Sequence, residues 1–410
     1  MSIHFIIGKN FGDEGKGLAT DYFSSLSQNA EKSCLVIRHN GGAQAGHTVD
    51  LPEKRFVFHQ LSSGSFRNAD TYWAQTFLPD LYKLPEEAED FLAIHGKLPR
   101  IFAHPRCRCV YIDDILINMA LETSRGGDRH GSCGMGINEA VERSAEVDSC
   151  IYLGQIYKMS QQALLDSLRH LRRTYLPRRL QQLGLTLTEM GEYGELLSNE
   201  TVLENAAAQM HYGLRYVELK DENFVSHYDD LIFEGAQGLL LDEDRVEYAP
   251  HLTSSKTGIH NPAAWLQTRK PDTVPEAVYV TRSYVTRHGA GCLPYEKEWE
   301  KQNVKVVDPT NLPNPWQGSL RFAPHGNEDV FFAPIDVDVR QCAFPLVVSC
   351  FVTHLNETQG NLCSVSGNIP VLQWFQNPQV PSCLGRVYLS CTPFSQDVSS
   401  HTILPNKPQL

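Results

Sequence analysis

The ten residues Gly8-Lys9-Asn10-Phe11-Gly12-Asp13-Glu14-Gly15-Lys16-Gly17 decide how the rest of the chain is understood. Ile3, Phe5, Ile6 and Ile7 precede them as a short apolar run with β-branched members, and Leu18-Ala19-Thr20-Asp21-Tyr22-Phe23 follows as the start of a helix. A strand, a glycine-rich turn and a helix N-terminus together bind phosphate, because free backbone N–H groups and the helix dipole point at the anion. Lys16 adds a point charge. The stretch is not a Walker A loop, however. Position 10 is Asn, and Gly17 stands where Ser or Thr would hold Mg²⁺. An acidic pair, Asp13-Glu14, sits inside the turn instead, and an aspartate there suits a metal ligand, a general base or both.

The rest of the composition sets bounds. A chain of 410 residues with net charge −12 is long enough for a large core and repels polyanions, which excludes non-specific nucleic-acid binding and adhesion to anionic membrane. No apolar run approaches the ~18 residues of a membrane helix, and the start of the chain lacks the pattern of a signal peptide. The 11 cysteines are scattered without a C-x-x-C pair, as expected of reduced thiols in a cytoplasmic protein.

Further strand-then-loop units recur. Cys34-Leu35-Val36-Ile37-Arg38 leads into His39-Asn40-Gly41-Gly42-Ala43-Gln44-Ala45-Gly46-His47-Thr48. Leu231-Ile232-Phe233 leads into Glu234-Gly235-Ala236-Gln237-Gly238, and Val278-Tyr279-Val280-Thr281 runs towards Arg287-His288-Gly289-Ala290-Gly291. The strand at 347–352 precedes Thr353-His354-Leu355-Asn356, and the strand at 386–389 ends at Ser390-Cys391-Thr392-Pro393. Another glycine-rich loop spans 126–136, after a helix expected over 112–121. Residues 150–225 form a mainly helical elaboration, with Leu164, Leu168, Leu171 and Tyr175 on one face and a break at Pro177. The expected fold is α/β: one domain over 1–410 with a large, mainly parallel central sheet and surrounding helices, its loops converging at the C-terminal strand ends. The basic cluster from Arg169 to Arg179 is expected to be a solvated helix face. Loops of Gly with Asp, His, Gln, Ser and Thr suit a phosphorylated nucleotide. Asp13 and His47, on two such loops, form a base and acid pair: a carboxylate to take a proton and an imidazole for a developing oxyanion.

Gly12-Asp13-Glu14-Gly15-Lys16-Gly17, the Gly-Gly-x-x-Ala-Gly-His-Thr pattern at 41–48, Phe233-Glu234-Gly235-Ala236-Gln237-Gly238, Thr253-Ser254-Ser255 and Thr286-Arg287-His288-Gly289-Ala290-Gly291 closely resemble adenylosuccinate synthetase, in that family's order. The resemblance implies a homodimeric ligase, with a fold related to P-loop GTPases, that joins IMP and L-aspartate at the expense of GTP with Mg²⁺. It implies Asp13 as the base at purine N1, His47 as the acid at O6 and Lys16 as the phosphate-loop lysine. Asp13 and the Gly46 carbonyl match the metal contacts. Gly12, Gly15, Gly17, Gln237 and Thr253 match nucleotide contacts, and Gln44 stands where the family has Asn.

Three departures bear on substrate. Gly131-Ser132-Cys133-Gly134-Met135-Gly136 replaces Gly-Thr-Thr-Gly-Arg-Gly, leaving Ser132 and Cys133 for the monophosphate. Arg143 is the candidate arginine reaching into a neighbouring subunit. The family's arginine run that clamps aspartate is reduced to Arg321, with Thr310 and Ser319 as helpers. Asn356 replaces the Asp that reads guanine. An amide donates as well as accepts, which suits adenine and predicts use of ATP, alone or alongside GTP, with Ser390 and Pro393 on the base side. Phage relatives that make 2-aminoadenylosuccinate from dGMP also lack that Asp. They lack the catalytic Asp too, so Asp13 favours an IMP-like substrate. The alternatives are a ligase acting on (d)GMP or with another amine, and a catalytically weakened nucleotide-binding regulator.

Overall fold

The computed structural model describes residues 1–410 except 127–128, 270–271, 307, 309–310, 312–317, 378–383 and 404–410. Its centre is a ten-stranded sheet. From one edge the strands are Ser399–Thr402, Leu384–Leu389, Val347–Thr353, Glu276–Arg282, Ser2–Gly8, Asp230–Gly238, Cys34–Arg38, Asp70–Trp73, Ile101–Ala103 and Val217–Leu219. All neighbours pair in parallel except the first two, which are antiparallel. The strand from Ser2 lies mid-sheet, so the loop after Gly8 opens at the centre of the C-terminal edge. Ligands of open α/β sheets bind at that edge, where strand order changes direction.

Both faces of the sheet are covered, which is why the inner strands are apolar on alternate and intervening positions alike. On one face Phe5, Ile7, Ile37, Phe233 and Tyr279 pack against Trp265, Phe331 and Trp374. On the other, Ile6, Val36, Ile232 and Val280 meet Leu18, Ala19 and Phe23 of the helix Lys16–Asn29. The helices Gln161–Thr174 and Glu200–Gly213 join the sheet edge: Leu164, Leu168, Leu171, Tyr175 and Met210 share a cluster with Trp73 and Ile101.

The helix expected over 112–121 spans Ile112–Ser124. Pro177 ends one helix and opens another, Leu176–Leu183, in whose first turn its missing N–H costs nothing. The basic cluster is tied into ion pairs as well as solvated. Arg169 bonds Asp166, Glu200 and Glu204, while Arg172 meets Asp113 at 2.6 Å and Arg179 meets Glu139 at 2.7 Å.

Candidate active site

The glycine loop is bent by Gly12, Asp13 and Gly15, with φ of 95°, 56° and 97°. Asp is among the few side chains that tolerate this left-handed region. Three donors from neighbouring strand ends pin its successive carbonyls: Thr286 Oγ1 donates to Gly12 O (3.1 Å), Arg282 Nε to Asp13 O (2.5 Å) and Thr353 Oγ1 to Glu14 O (2.9 Å). With the carbonyls held, the amides of Gly12 through Gly17 find no acceptor among the described residues. A row of free N–H groups running into a helix N-terminus is an anion cradle. Gly15 packs so closely on Thr353 that a Cβ would lie 2.8 Å from its Cγ2. At Gly17 a Cβ would meet Thr48 O at 2.7 Å and His47 Cβ at 3.2 Å. Here is the steric reason that no Ser or Thr follows Lys16: the space is taken by the segment that carries His47.

Lys16 is buried, and desolvation lowers its pKa against the opposing pull of Glu14 and Asp13. Burial pushes the neighbouring Glu14 up to about 7, although one oxygen accepts from Asn10 N at 2.5 Å. His47 Nδ1 lies 2.7 Å from Glu234 Oε1, and Glu234 is fully buried with Ser63 N donating to Oε2 at 3.1 Å. Burial alone would raise the Glu234 pKa, but the Arg38 guanidinium and His47 outweigh it and hold the carboxyl down at about 2. Desolvation takes His47 down to about 4, which Glu234 only partly offsets. Both shifts describe one state: an ionised Glu234 accepting Nδ1–H from a neutral imidazole whose Nε2 keeps its lone pair. Such a ring takes a proton at Nε2 when an anion arrives beside it. Glu234 thus belongs to the site, although the sequence reading gave it no role. Its place directly after the apolar run Leu231-Ile232-Phe233 and before Gly235 is its sequence signal; in the structure it lies within the strand Asp230–Gly238.

Gln44 also faces this region. Both side-chain amide atoms are buried without a partner, and a Cβ on Gly41 would touch Nε2 at 2.8 Å. A buried amide with no bond is poised for a ligand. Gln237, with φ 65°, lies against Gly8 and Gly12 through its backbone, and Asn40 ties the two loops by bonds to Ala236 N and O at 2.7 and 3.0 Å. Gly46 is exposed beside His47.

The remaining candidates form two outlying groups. Ser132 donates to Asn118 Oδ1 at 2.9 Å, and burial raises the Cys133 thiol pKa. Their loop leans on Gly289 and Ala290, and His251 Nδ1 reaches His130 O at 2.9 Å. Thr253 N bonds Leu241 O at 2.9 Å, and Ser254 Oγ bonds Asn138. On the other side, Leu355 N donates to Ser390 O at 3.2 Å, which puts exposed Asn356 and Pro393 on adjoining loops.

Two expectations change. Arg143 does not reach out of its own chain: it is buried, gripping Asp114 at 2.9 Å, donating to Ser149 O and Cys109 O, and stacking on Tyr111 at 3.8 Å. Arg321 is no open clamp either. Nε and one NH₂ grip Glu296, and the other donates to Gly289 O and Gly291 O at 3.0 and 2.8 Å. Ser319 is exposed, and Thr310 lies outside the described residues.

A mid-sheet glycine loop with free amides and its own carboxylate, beside a carboxylate-held imidazole, defines an α/β protein with an anion cradle at the C-terminal edge of its sheet. A family model described as adenylosuccinate synthetase matches residues 5–308. The chain belongs to that family. The adenylosuccinate synthetase of Pseudomonas paraeruginosa (strain DSM 24068 / PA7) is 28% identical over 304 residues, 71% of this chain and 64% of that protein. That of Clostridium botulinum (strain Eklund 17B / Type B) is 26% identical over 300 residues, 72% and 66% of the two. The match spans just under two thirds of these relatives. Among solved structures, fully ligated adenylosuccinate synthetase from Plasmodium falciparum aligns with TM-score 0.62 and 18% identity, over 99% of this chain and 89% of that one. Succinoaminodeoxyadenylate synthetase of cyanophage S-2L, bound to dGMP and dATP, aligns with TM-score 0.58 and 15% identity, over 98% and 95%. At those identities the likeness is one of fold.

Proposed function

We propose that the protein is a C–N bond-forming ligase of the adenylosuccinate synthetase type, using a 6-oxo purine nucleoside monophosphate, a nucleoside triphosphate and L-aspartate. The observation that carries this reading is the placing of Asp13 inside the anion cradle, with the His47–Glu234 pair against the same helix start. Asp13 takes the N1 proton, and the charge moves to O6. O6 attacks the γ-phosphorus, the bond to the β-phosphate oxygen breaks, and the diphosphate leaves. The aspartate amine then adds at C6, the C6–O bond breaks, and the phosphate departs with the proton that the amine sheds. His47, protonated at Nε2 beside the incoming anion and held by Glu234, donates to O6; Lys16 and the amides of residues 12–17 carry the phosphate charge.

Among the described residues no three His, Cys, Asp or Glu side chains gather around one point. Asp13 and the Gly46 carbonyl fit Mg²⁺, which is commonly held by one or two carboxylates with phosphate oxygens and water completing its shell. When bound, the ion neutralises phosphate charge and orients the triphosphate. Arg321 meets aspartate by exchanging Glu296 for a substrate carboxylate. Asn356 beside Ser390 favours ATP. A second copy of the chain is the expected partner.

A second reading, with (d)GMP as the 6-oxo purine, is favoured by the cyanophage neighbour bound to dGMP and dATP; the retained Asp13 favours IMP. Incubation with Mg²⁺, ATP or GTP, and IMP, GMP or dGMP, with and without aspartate, separates them by product mass. The expected result is an aspartate adduct of the monophosphate, formed with ATP at least as fast as with GTP. No adduct and no phosphate release in any combination refutes the ligase, and a tenfold preference for GTP refutes the role of Asn356.

A further inference from the structure

Asp13 is held at both its backbone and its side chain by a closed ring of residues that none of the roles above includes. Arg282 donates through Nε to Asp13 O at 2.5 Å and through NH₂ to Asp308 Oδ2 at 2.8 Å. Asp308 accepts from Asn311 N at 3.0 Å and Asn311 Nδ2 at 2.7 Å. Asn311 Oδ1 lies 3.1 Å from His288 Nε2, which is 3.3 Å from Asp13 Oδ2 and closes the ring.

The chain of donors fixes where the hydrogen on His288 must be. The Arg282 guanidinium only donates, so Asp308 accepts. Asp308 is kept ionised: burial would raise its pKa, but Arg282 and Asn311 bring it well below the ordinary carboxylate range. An ionised Asp308 requires the NH₂ of Asn311, so the amide oxygen turns to His288. Facing Nε2 are then two acceptors, an amide oxygen and a carboxylate oxygen. Nε2 must carry hydrogen. Nδ1 is buried without a partner.

We propose that His288 is a positioning residue for Asp13. Its Nε2–H, bonded to Asn311 Oδ1 with Asp13 Oδ2 3.3 Å from the same nitrogen, holds the catalytic carboxylate in place, so that Oδ1 is presented to the purine. The inference rests on the assignment of Asp13 as the base. It adds that the carboxylate is aimed by a histidine whose hydrogen is set three residues away, at Arg282. The ring also joins Arg282, at the end of the strand Glu276–Arg282, and His288 to Asp308 and Asn311.

Two measurements test it. In the first, ¹⁵N NMR of the histidine rings in the ligand-free protein should show His288 with hydrogen on Nε2, and its Nε2 resonance should move in Asp13→Asn and in Asn311→Ala. A bare Nε2, or a resonance indifferent to both changes, overturns the proposal without reference to activity. In the second, His288→Phe, which keeps volume and loses the donor, should lower kcat at least ~10-fold, the low end of what a misaimed catalytic group costs, with KM for the monophosphate within threefold. His288→Gln, whose amide N–H reaches the Nε2 position, should recover most of that loss. In an Asp13→Asn background, His288→Phe should cost nothing further, because a group acting through Asp13 has nothing left to aim. Full turnover in His288→Phe, failure of Gln to rescue where Phe fails, or a rise in KM alone overturns the proposal. Wild-type protein that makes no adduct refutes the ligase reading, and the NMR result then still decides the geometry.

Discussion

Glu234 occupies the position on which the chemistry of His47 turns. An ionised carboxylate fixes the imidazole with Nδ1–H inward and makes a proton at Nε2 affordable once an anionic oxygen is near. Glu234→Gln keeps the shape and removes the charge. It should lower kcat by ~10²-fold, within the range for general acids, with little change in KM, measured by steady-state kinetics on the monophosphate. Asp13→Asn should cost at least as much, because Glu14, the other carboxylate of the loop, is buried and turned onto Asn10 N; wild-type turnover would remove Asp13 as the base. Gly17 makes a different point. Gly17→Ser would restore the outline of a nucleotide-loop motif, yet its Cβ collides with Thr48 O at 2.7 Å. That oxygen belongs to a backbone that cannot give way without moving His47. Turnover should fall at least ~10-fold and the melting temperature should drop, since overpacking typically costs 1–3 kcal/mol.

Between elements, strand ends and helix starts hold each other through single buried groups. Asp338, near the end of the helix Glu328–Val339, accepts from Ile259 N at 3.1 Å, just before the helix His260–Gln267, and from Tyr279 OH at 2.9 Å. Burial pushes Asp338 up to about 7, despite those donors. A carboxyl whose folded pKa lies above its unfolded value binds its proton more tightly when folded. The resulting stability is full below about 4 and is lost as pH rises through about 7. Asp338→Asn mimics the protonated form and should escape that loss. Its melting temperature relative to wild type should therefore rise between pH 5 and pH 8, and an offset independent of pH would count against the linkage. The same logic explains why Arg143 serves its own chain. The helix Ile137–Ala145 is anchored by that arginine to Asp114, in the first turn of the helix Ile112–Ser124. Removing one partner of such a buried pair typically costs 3–5 kcal/mol, so Arg143→Ala should be detected first by thermal melting rather than by loss of an intersubunit contact.

Across the whole molecule, the six strands legible in the sequence are the six adjacent inner strands of the sheet, from Leu384–Leu389 to Cys34–Arg38. Covered on both faces, each carries a run of three or four consecutive apolar residues, and that pattern needs no partner to be recognised. The outer strands Asp70–Trp73, Ile101–Ala103, Val217–Leu219 and Ser399–Thr402 have three or four residues each and carry no such pattern. Their pairing is decided by neighbours distant in sequence. The sequence alone determined the parallel α/β class, the phosphate-binding loop with its intrusive carboxylate, and the candidate pair Asp13 and His47, because residue type and local order carry that information. Only the tertiary structure decided what each candidate side chain faces. It set Glu234 behind His47 and His288 beside Asp13, filled the space at Gly17, turned Arg143 inward onto Asp114 and paired Arg321 with Glu296. The physical reason is that a side chain's charge and hydrogen-bond state are fixed by groups a few ångströms away, and in this sheet those groups come from strands up to hundreds of residues apart.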